Sequence, residues 1–199
     1  ADAIQKGCNI IFTTTPEFVQ ASVQAAIAHP EVKILNCSLN TSHRYIRTYY
    51  ARMYEAKFLM GAIAGAMAEN GQLAYIADYP IFGTIANINA FALGAKMVNP
   101  RAQIYLEWST LKDVDLGIAM DNVIKKGVTV VSGQDMVIPE DASRYFGLYH
   151  IEKEGPRNLA MPLWHWGKFY EQLIRTIMDG TWKYDDNKDE TKAINYWWG

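Results

Sequence analysis

Short apolar runs alternate with helical patterns along most of this chain, and that alternation limits its fold more than any other feature. Apolar, β-branched runs that predict strands lie at residues 10–14, 32–37, 45–50, 73–77, 103–108, 128–132 and 147–151. Helical periodicity predicts helices at residues 16–29, 53–70, 84–98, 114–126 and 166–178. Strands that alternate with helices through short connections form parallel sheets, because each crossover returns the chain to the same edge. The sequence therefore predicts an α/β fold with doubly wound parallel sheets.

The composition of the chain excludes some classes of partner. Half of its 199 residues are hydrophobic, which is enough to bury one large core or two small ones. The formal net charge is -2, and the lysines and arginines are scattered along the chain, so we expect no nucleic-acid partner. No run of about 18 apolar residues occurs, so no membrane-spanning helix is predicted.

Residues 71–100 join a predicted strand, a Tyr-Pro-Ile-Phe turn and a long predicted helix without interruption. In an open α/β sheet such a turn lies at the carboxyl edge, where small ligands bind. Tyr79 and Phe82 stand in this turn and follow no period that would bury them. We therefore predict that Tyr79 and Phe82 contact a flat ligand.

The predicted helix at residues 53–70 carries two glycines, Gly61 and Gly65, on the same face as Tyr54 and Phe58. Glycine has no side chain beyond its Cα atom, so it leaves room for a neighbouring chain. We therefore expect another backbone to approach this helix closely.

Four more aromatic residues lie where predicted strands end or helices begin: Phe18, Trp108, Trp164 and Trp166. A flat ring needs aromatic faces, and the stacking of one base is worth about 1–3 kcal/mol. Phe18 follows the first predicted strand, but it can also be a core residue of its own helix. Trp108 ends a strand, where the pattern fits a core position and a ligand-facing position equally well. Trp164 and Trp166 lie two apart, so on an extended segment both face one side, and we favour Trp166 as the ligand contact because it begins the helix.

Four segments of the chain resemble, in the same order, segments of the basic membrane protein family. This family comprises substrate-binding lipoproteins that serve ABC importers of purine nucleosides and bases. The segments are YYARMYEAKFLMGAIAGAM, then YPIFGTIANINAFALGA with a strand that ends in Trp108, then LAMPLWHWGKFYEQLIRTIMDGTWK, and finally NYWWG. Together they cover nearly the whole chain, and several linked motifs in one order are more specific than any one of them.

The resemblance implies a type I periplasmic-binding-protein fold, with two Rossmann-like lobes, parallel sheets, a hinge and a ligand closed between the lobes. On that basis lobe one takes residues 1–70 and 156–180, and lobe two takes residues 71–155 and 181–199. The polar, Gly/Pro-bearing passage at residues 152–158 is interpreted as a crossing between the lobes. The family's first strand and helix have no counterpart before Ala1, and the end is also interpreted as truncated, so we expect a fold that is incomplete at both ends.

The resemblance also implies a function, the solute-binding component of an ABC importer that holds a purine base or nucleoside by aromatic stacking and hinge closure. The expected partners are this small-molecule ligand and the transporter permease, with no nucleic acid. The expected location is extracytoplasmic, either periplasmic or at the bacterial cell membrane through a lipid anchor outside this chain. No catalytic residue, metal or cofactor is expected.

The resemblance gives one polar ligand contact in particular. Asp135 follows the predicted strand at residues 128–132, where the family carries an aspartate that can accept a hydrogen bond from a base nitrogen or a ribose hydroxyl. The alternative is a turn carboxylate that only caps the next segment. Phe18 matches the aromatic residue after the first strand's turn, where the family has a base-stacking ring. Asn87 is expected to face solvent or the lobe surface.

Two positions depart from the family's pattern. Many members have a carboxylate at the end of the strand where this chain has Asn36, Cys37 and Ser38. A neutral group there implies either a different ribose contact or a free base as the ligand. The classical nucleoside binders have a lysine in the late crossing segment, where this chain has Leu-Trp-His-Trp at residues 163–166. That replacement resembles the subgroup whose ligands lean toward bases such as adenine, so the choice between base and nucleoside stays open.

Two other classes of function stay open on the sequence alone. A ligand-sensing domain of a regulator or receptor can share the same two-lobed fold. A nucleoside-processing enzyme would need an acid/base pair such as Asp135 with His165, but the chain has no Gly-x-Ser-x-Gly elbow, phosphate loop or metal-binding motif. The sequence also does not decide whether Cys8 and Cys37 pair.

Overall fold

The computed structural model describes residues 2–38, 45–78, 80, 82–109, 116–135, 146–182 and 196–198. Side chains are described for all of these except Phe82, Leu116 and residues 196–198. The helices in these ranges are α1 (Asp2–Gln5), α2 (Val19–Ala28), α3 (Met53–Met67), α4 (Phe82–Val98), α5 (Leu116–Lys125) and α6 (Trp166–Met178), with a 3-10 turn, Pro16–Phe18, before α2. The strands are β1 (Ile10–Thr13), β2 (Lys33–Cys37), β3 (Arg47–Ala51), β4 (Gln72–Ala77), β5 (Gln103–Trp108), β6 (Val130–Ser132), β7 (Leu148–Glu152), β8 (Gly155–Ala160) and β9 (Tyr196–Trp198).

The chain folds into two compact units. Unit 1 consists of Ala1–Arg52 and Trp164–Gly199, and unit 2 consists of Met53–Leu163. Each unit has its own sheet with helices packed on it, which confirms the predicted α/β class. None of the helices in the described ranges combines the length and the apolar composition needed to cross a bilayer.

The sheet of unit 1 is parallel throughout, with strand order β1-β2-β3-β9. Successive side chains of β2 are buried on opposite faces of this sheet. Ile34 packs in one cluster with Val19 of α2. Leu35 packs in another with Tyr49 of β3 and Phe169 of α6. Helices therefore cover both faces, as a parallel sheet requires.

The sheet of unit 2 has strand order β5-β4-β6-β7-β8. The first three strands are parallel, whereas β7 and β8 are antiparallel to their neighbours, so the sheet is mixed rather than purely parallel. The central strand β4 is buried on both faces. Leu73 and Tyr75 belong to one core cluster, and Ala74 and Ile76 belong to the other.

Helices α3 and α4 pack so closely that their backbones touch. A Cβ atom added at Gly61 would overlap the backbone carbonyl of Phe91, and one added at Gly65 would lie 2.6 Å from the carbonyl oxygen of Ala95. Any other residue at Gly61 would force the two helices apart. This contact confirms the close approach that the spacing of Gly61 and Gly65 predicts.

The boundaries of the two units differ from the predicted lobe boundaries. Helix α3 belongs to unit 2 because its glycine face packs on α4, whereas the sequence places residues up to 70 in lobe one. Strand β9 pairs with β3 of unit 1, Tyr196 opposite Tyr49, whereas the sequence places residues 181–199 in lobe two. The chain passes from unit 2 to unit 1 after Leu163, later than the predicted crossing.

The polar passage at residues 152–158 is part of a hairpin within unit 2, so its interpretation as a crossing is wrong. Strands β7 and β8 pair in antiparallel fashion, with Glu152 opposite Gly155. Gly155 has a φ of 127°, which residues with side chains rarely adopt. Strand β8 lies at the edge of the sheet and its central residues are exposed, so its sequence is polar and resembles a linker.

Candidate functional site

The carboxyl ends of β4, β5 and β6 meet at one edge of the unit 2 sheet, and polar side chains follow each strand. Ser109 donates from Oγ to the carbonyl oxygen of Ala77 over 3.2 Å. Gln134 donates from Nε2 to Ser109 Oγ over 2.8 Å. The backbone N–H of Asp135 donates to Asp78 Oδ2 over 3.1 Å. These bonds tie three turns together at the edge where open α/β sheets bind ligands.

Asp135 is buried, and its carboxylate receives three donors from its own chain. Lys57 Nζ lies 2.6 Å from Oδ1, and Asn87 Nδ2 donates to Oδ2 over 3.0 Å. The Tyr75 hydroxyl lies 2.7 Å from both oxygens. A carboxylate has about four lone-pair positions, and the single Tyr75 proton, which lies equally close to both oxygens, fills one of them at a time, so the three donors leave one acceptor position. The Asp135 side chain is 7% exposed, so a ligand donor would have to reach the small exposed part of this carboxylate.

Lys57 forms a buried ion pair with Asp135. Its side chain is 0% exposed, and its ammonium also donates to Ser132 Oγ over 3.3 Å. The same Nζ atom lies 5.0 Å from the centroid of the Tyr75 ring. A buried ammonium is costly unless it is paired, and Asp135 provides the opposite charge.

Tyr75 acts as a donor toward this carboxylate. Burial, followed by the charge of Asp135, the hydrogen bond to Asp135 and the charge of Asp78, raises the pKa of Tyr75 well above its usual value. The hydroxyl therefore keeps its proton at neutral pH. Asp135 then has a fixed donor set of one ammonium, one phenol and one amide.

Sequence reasoning misses Lys57 and misplaces Asn87. Asn87 is 6% exposed, so the expectation that it faces solvent or the lobe surface is wrong. Asn87 lies four residues before Phe91, on the buried face of α4, and this spacing could have revealed its position. Lys57 lies four residues before Gly61 on the buried face of α3, where a charged residue indicates a buried partner.

Three of the predicted aromatic ligand contacts belong to unit 2. Trp108 ends the edge strand β5 opposite Ala77, and its half-buried side chain packs against the core cluster that contains Phe91. Phe82 is the first residue of α4, but its side chain is outside the described part of the chain. Tyr79 lies wholly outside the described residues. Ligand contact by Trp108, Phe82 and Tyr79 stays a prediction.

Phe18 lies after the carboxyl end of β1 in unit 1. It ends the 3-10 turn Pro16–Phe18, and it is 49% exposed. Phe18 is therefore not a core residue of α2, and that alternative does not hold. An exposed aromatic ring at a strand end is available to a flat ligand.

Trp164 and Trp166 belong to an aromatic cluster in unit 1. Their rings stack with centroids 5.9 Å apart, which confirms that the two residues face the same side. Trp166 also stacks on Tyr170 at 6.2 Å and meets Tyr49 edge-on at 5.5 Å. The buried Nε1 of Trp164 has no hydrogen-bond partner among the described residues. Because a buried indole N–H usually has an acceptor, this donor can bind an acceptor atom of a ligand.

Three polar atoms near the carboxyl ends of β1 and β2 also lack partners within the described ranges: Thr15 Oγ1, Asn36 Oδ1 and Ser38 Oγ. Asn36 is 0% exposed and Ser38 is 2% exposed. The Asn36 amide is fixed, because Nδ2 donates to Thr13 Oγ1 over 2.7 Å and to the carbonyl oxygen of Thr15 over 2.8 Å. The strand end that departs from the family's pattern thus offers hydrogen-bonding atoms without charge.

Among the described residues, no group of three or more His, Cys, Asp or Glu side chains is arranged to hold a metal ion. His165 caps α6, accepting at Nδ1 a hydrogen bond from the backbone N–H of Lys168 over 3.3 Å. Cys8 and Cys37 are both free thiols, and burial raises the pKa of Cys37 to about 11, which makes it a poor nucleophile at neutral pH.

The sequence matches a known family and two curated proteins. A family model, Bmp, described as ABC transporter substrate-binding protein PnrA-like, matches residues 1–140. A purine-binding protein of Brucella abortus is 27% identical over 206 aligned positions, which cover 97% of this chain and 55% of that protein. A protein of Haloferax volcanii named as an ABC transporter glucose-binding protein is 26% identical over 191 positions, covering 91% of this chain and 49% of that protein. The chain thus spans about half the length of the curated relatives it matches.

Solved structures resemble the chain in fold. A transcriptional activator of the comK gene from Bacillus halodurans matches with a TM-score of 0.71 at 15% identity, over 98% of this chain and 69% of that one. An ABC transporter system solute-binding protein from Conexibacter woesei matches with a TM-score of 0.61 at 13% identity, over 92% of this chain and 66% of that one. At these identities the likeness concerns the fold alone.

The family match and the fold lead to the same conclusion. The matching family model covers more than half of the chain, and it confirms the resemblance to this family; the first two of the four segments lie within the matched residues 1–140. The family is one of solute-binding proteins rather than of enzymes. The chain belongs to the Bmp family of PnrA-like ABC transporter substrate-binding proteins.

Proposed function

We propose that this chain is the ligand-binding part of the solute-binding component of an ABC importer, and that its ligand is a purine base or nucleoside. The observation that carries the ligand class is the Asp135 carboxylate, held by three donors at the carboxyl edge of the unit 2 sheet. One acceptor position is left on a carboxylate that cannot turn away. Such an acceptor suits an N–H on the edge of a base or a ribose hydroxyl.

Aromatic side chains supply the faces that a purine ring needs. Phe18 is half-exposed after β1, and Trp164 and Trp166 stack side by side in the same unit. Stacking of a base on an aromatic ring is worth about 1–3 kcal/mol and does not depend on which base is present. Stacking therefore does not choose among purines, and hydrogen bonds to the ligand would have to make that choice.

The curated relatives support two ligand classes. The Brucella abortus relative is named as a purine-binding protein, which favours a purine. The Haloferax volcanii relative is named as a glucose-binding protein, and a sugar also offers hydroxyl donors and an apolar face. We favour the purine because its ring is flat on both faces. Binding of a sugar and of no purine would replace the purine assignment.

The transport role implies a partner and a location. In this proposal the loaded protein delivers its ligand to the permease of an ABC importer on the outer side of the cell membrane. A lipid anchor, as predicted from the sequence, would hold the protein at that surface. Both parts of the proposal concern the whole protein.

A ligand-sensing domain is the second candidate function. A structure named as a transcriptional activator of the comK gene shares the fold, so the same architecture also occurs in a protein named as a regulator. The discriminating observation is the sequence that precedes Ala1 in the gene. A lipoprotein signal there supports the importer, and a DNA-binding or signalling segment supports the sensor.

The direct test is calorimetry of the protein that carries this chain. The panel contains adenine, adenosine, inosine, guanosine, glucose, ribose and several amino acids. We expect heat and a stoichiometry of one ligand per chain with at least one purine. Heat with glucose or an amino acid and none with any purine would overturn the ligand assignment while leaving the fold intact.

Two aromatic variants test the predicted stacking contacts. Trp166→Ala and Phe82→Ala should each weaken binding of the best purine about tenfold, because each removes one ring face. Leu163→Ala is the matched control, since Leu163 is 80% exposed and lies next to the tryptophan pair. Equal affinity for wild type and both aromatic variants would exclude these rings from the site.

A further inference from the structure

We infer that Lys57 is a positioning residue for ligand binding, which acts on the ligand only through the Asp135 carboxylate that it fixes. The inference rests on the proposed function, because it takes Asp135 as a ligand acceptor. Nothing in the sequence motifs or in the names of the relatives points to Lys57. It is assigned from contacts and burial alone.

Packing does not explain a lysine at this position. Helix α3 turns a face of Met53, Met60, Gly61, Ala64 and Gly65 into unit 2, and Lys57 is the charged residue on that face. Its side chain is 0% exposed, so its ammonium has lost its hydration. A methionine of similar length would fill the same space without that cost. The charge itself must therefore have a role, and it lies against Asp135.

The three donors approach the carboxylate from three different elements. Lys57 comes from α3 to Oδ1, Asn87 comes from α4 to Oδ2, and the Tyr75 hydroxyl from β4 lies between the two oxygens. Two of these donors are neutral, and among the contacts described for this carboxylate Lys57 brings the positive charge. Removing Lys57 would leave a buried carboxylate with hydrogen bonds but without a counter-charge. Such a carboxylate would turn toward solvent, and its free acceptor position would be lost.

This role predicts a specific pattern of ligand affinities. Lys57→Met should weaken the binding of adenosine at least tenfold, because the acceptor is no longer held in place. Lys57→Arg should restore part of the loss, since it keeps the charge. In an Asp135→Asn background, Lys57→Met should cause little further loss, because its effect passes through Asp135. Lys125→Met is the matched control, since Lys125 is exposed on α5, and it should bind as wild type does.

The experiment is a double-mutant cycle measured by calorimetry with adenosine, accompanied by urea unfolding of each variant. If Lys57 has only a structural role, the losses of adenosine affinity should add across the cycle and should follow the unfolded fraction of each variant. They should also be equal for Lys57→Arg and Lys57→Met. That result would overturn the inference. Should Lys57→Met fail to fold, Lys57→Gln keeps a neutral donor at the same place and should show the same dependence on Asp135.

Failure of the proposed function gives a different result. Wild-type protein that gives no heat with adenosine or any other purine, and heat with glucose, contradicts the purine proposal alone. The same variants titrated with glucose then decide the role of Lys57. Additive losses in that series overturn the inference, and non-additive losses with rescue by Lys57→Arg support it.

Discussion

The buried Asp135 carboxylate takes part both in the packing of unit 2 and in its candidate ligand site. Asp135 is bonded to three elements of its own chain, and one of its partners, Tyr75, is 60 positions away in sequence. The ordinary surface carboxylate is solvated and free to rotate, whereas this one is held in one orientation. At the residue scale, such an atom is both a part of the core and a candidate ligand contact.

Asp135→Asn should destabilise the protein and impair binding together. The amide keeps the shape of the carboxylate but removes the charge that Lys57 faces, so a buried ammonium is left without its partner. Breaking a buried pair in this way costs about 3 kcal/mol of the free energy of unfolding. Urea unfolding measures the loss, and Asp121→Asn, at an exposed position on α5, should change it by less than about 0.5 kcal/mol. A variant as stable as wild type would show that the pair contributes nothing.

The two free cysteines should differ sharply in reactivity. Burial raises the pKa of Cys37 to about 11, so at pH 8 roughly 0.1% of it is thiolate, the form that reacts. Cys8 is exposed. Iodoacetamide at pH 8 should therefore modify Cys8 and spare Cys37 in mass spectra of the folded protein. The rate at Cys37 should rise as the pH approaches 11, and in urea both should react. Equal rates in the folded protein would contradict this account of Cys37.

At the scale of elements, the contact between α3 and α4 is the least tolerant part of unit 2. Gly61→Ala places a Cβ atom on the backbone carbonyl of Phe91, and no side-chain movement can relieve that overlap. Overpacking of a tight contact typically costs 1–3 kcal/mol, and a backbone clash should lie near the upper end, at about 3 kcal/mol. Thermal or urea unfolding measures the loss.

Gly167→Ala is the matched control for this substitution. Gly167 lies in α6, and a Cβ atom there would meet nothing within 4 Å. Because glycine is a poor helix former, the alanine should raise the free energy of unfolding by about 0.5 kcal/mol or leave it unchanged. Equal destabilisation by the two substitutions would show that helix propensity, and not the approach of α4, decides the effect at Gly61.

The pattern of the sequence predicts local elements well and long-range pairing poorly. Helix α6 begins and ends at the predicted residues, because its apolar period is clear. Strand β8 is missed because an exposed edge strand can be as polar as a linker. The unit assignment of β9 is also not predictable from its own few residues, since pairing with β3 depends on contacts from the other end of the chain.

The candidate site also contains some residues that the sequence predicts and others that it does not. Asp135 is predicted from its match to a known family and the tryptophan pair from its position before a helix, and the stacking of Trp164 on Trp166 follows from their spacing. Lys57 and Asn87 are not found, because an apolar helix pattern hides the polar residues within it. A buried polar residue is informative only once its partner is known, and here the shared partner is Asp135.

At the scale of the whole molecule, family membership and ligand identity rest on different grounds. The Bmp family is shown by a match over residues 1–140. The ligand is proposed from a held carboxylate, from aromatic faces and from one relative named as a purine-binding protein. Because the chain spans about half the length of its curated relatives, transport by the whole protein is also a proposal.

The central claim is that this protein binds a purine at a site that includes Asp135. Calorimetric titration of one protein sample with adenosine and then, separately, with glucose tests it most directly. Saturable heat is expected with adenosine or adenine at one ligand per chain, with little heat from glucose and a weaker but measurable affinity in Asp135→Asn protein that is still folded. Saturable heat with glucose and none with adenosine or adenine would contradict it.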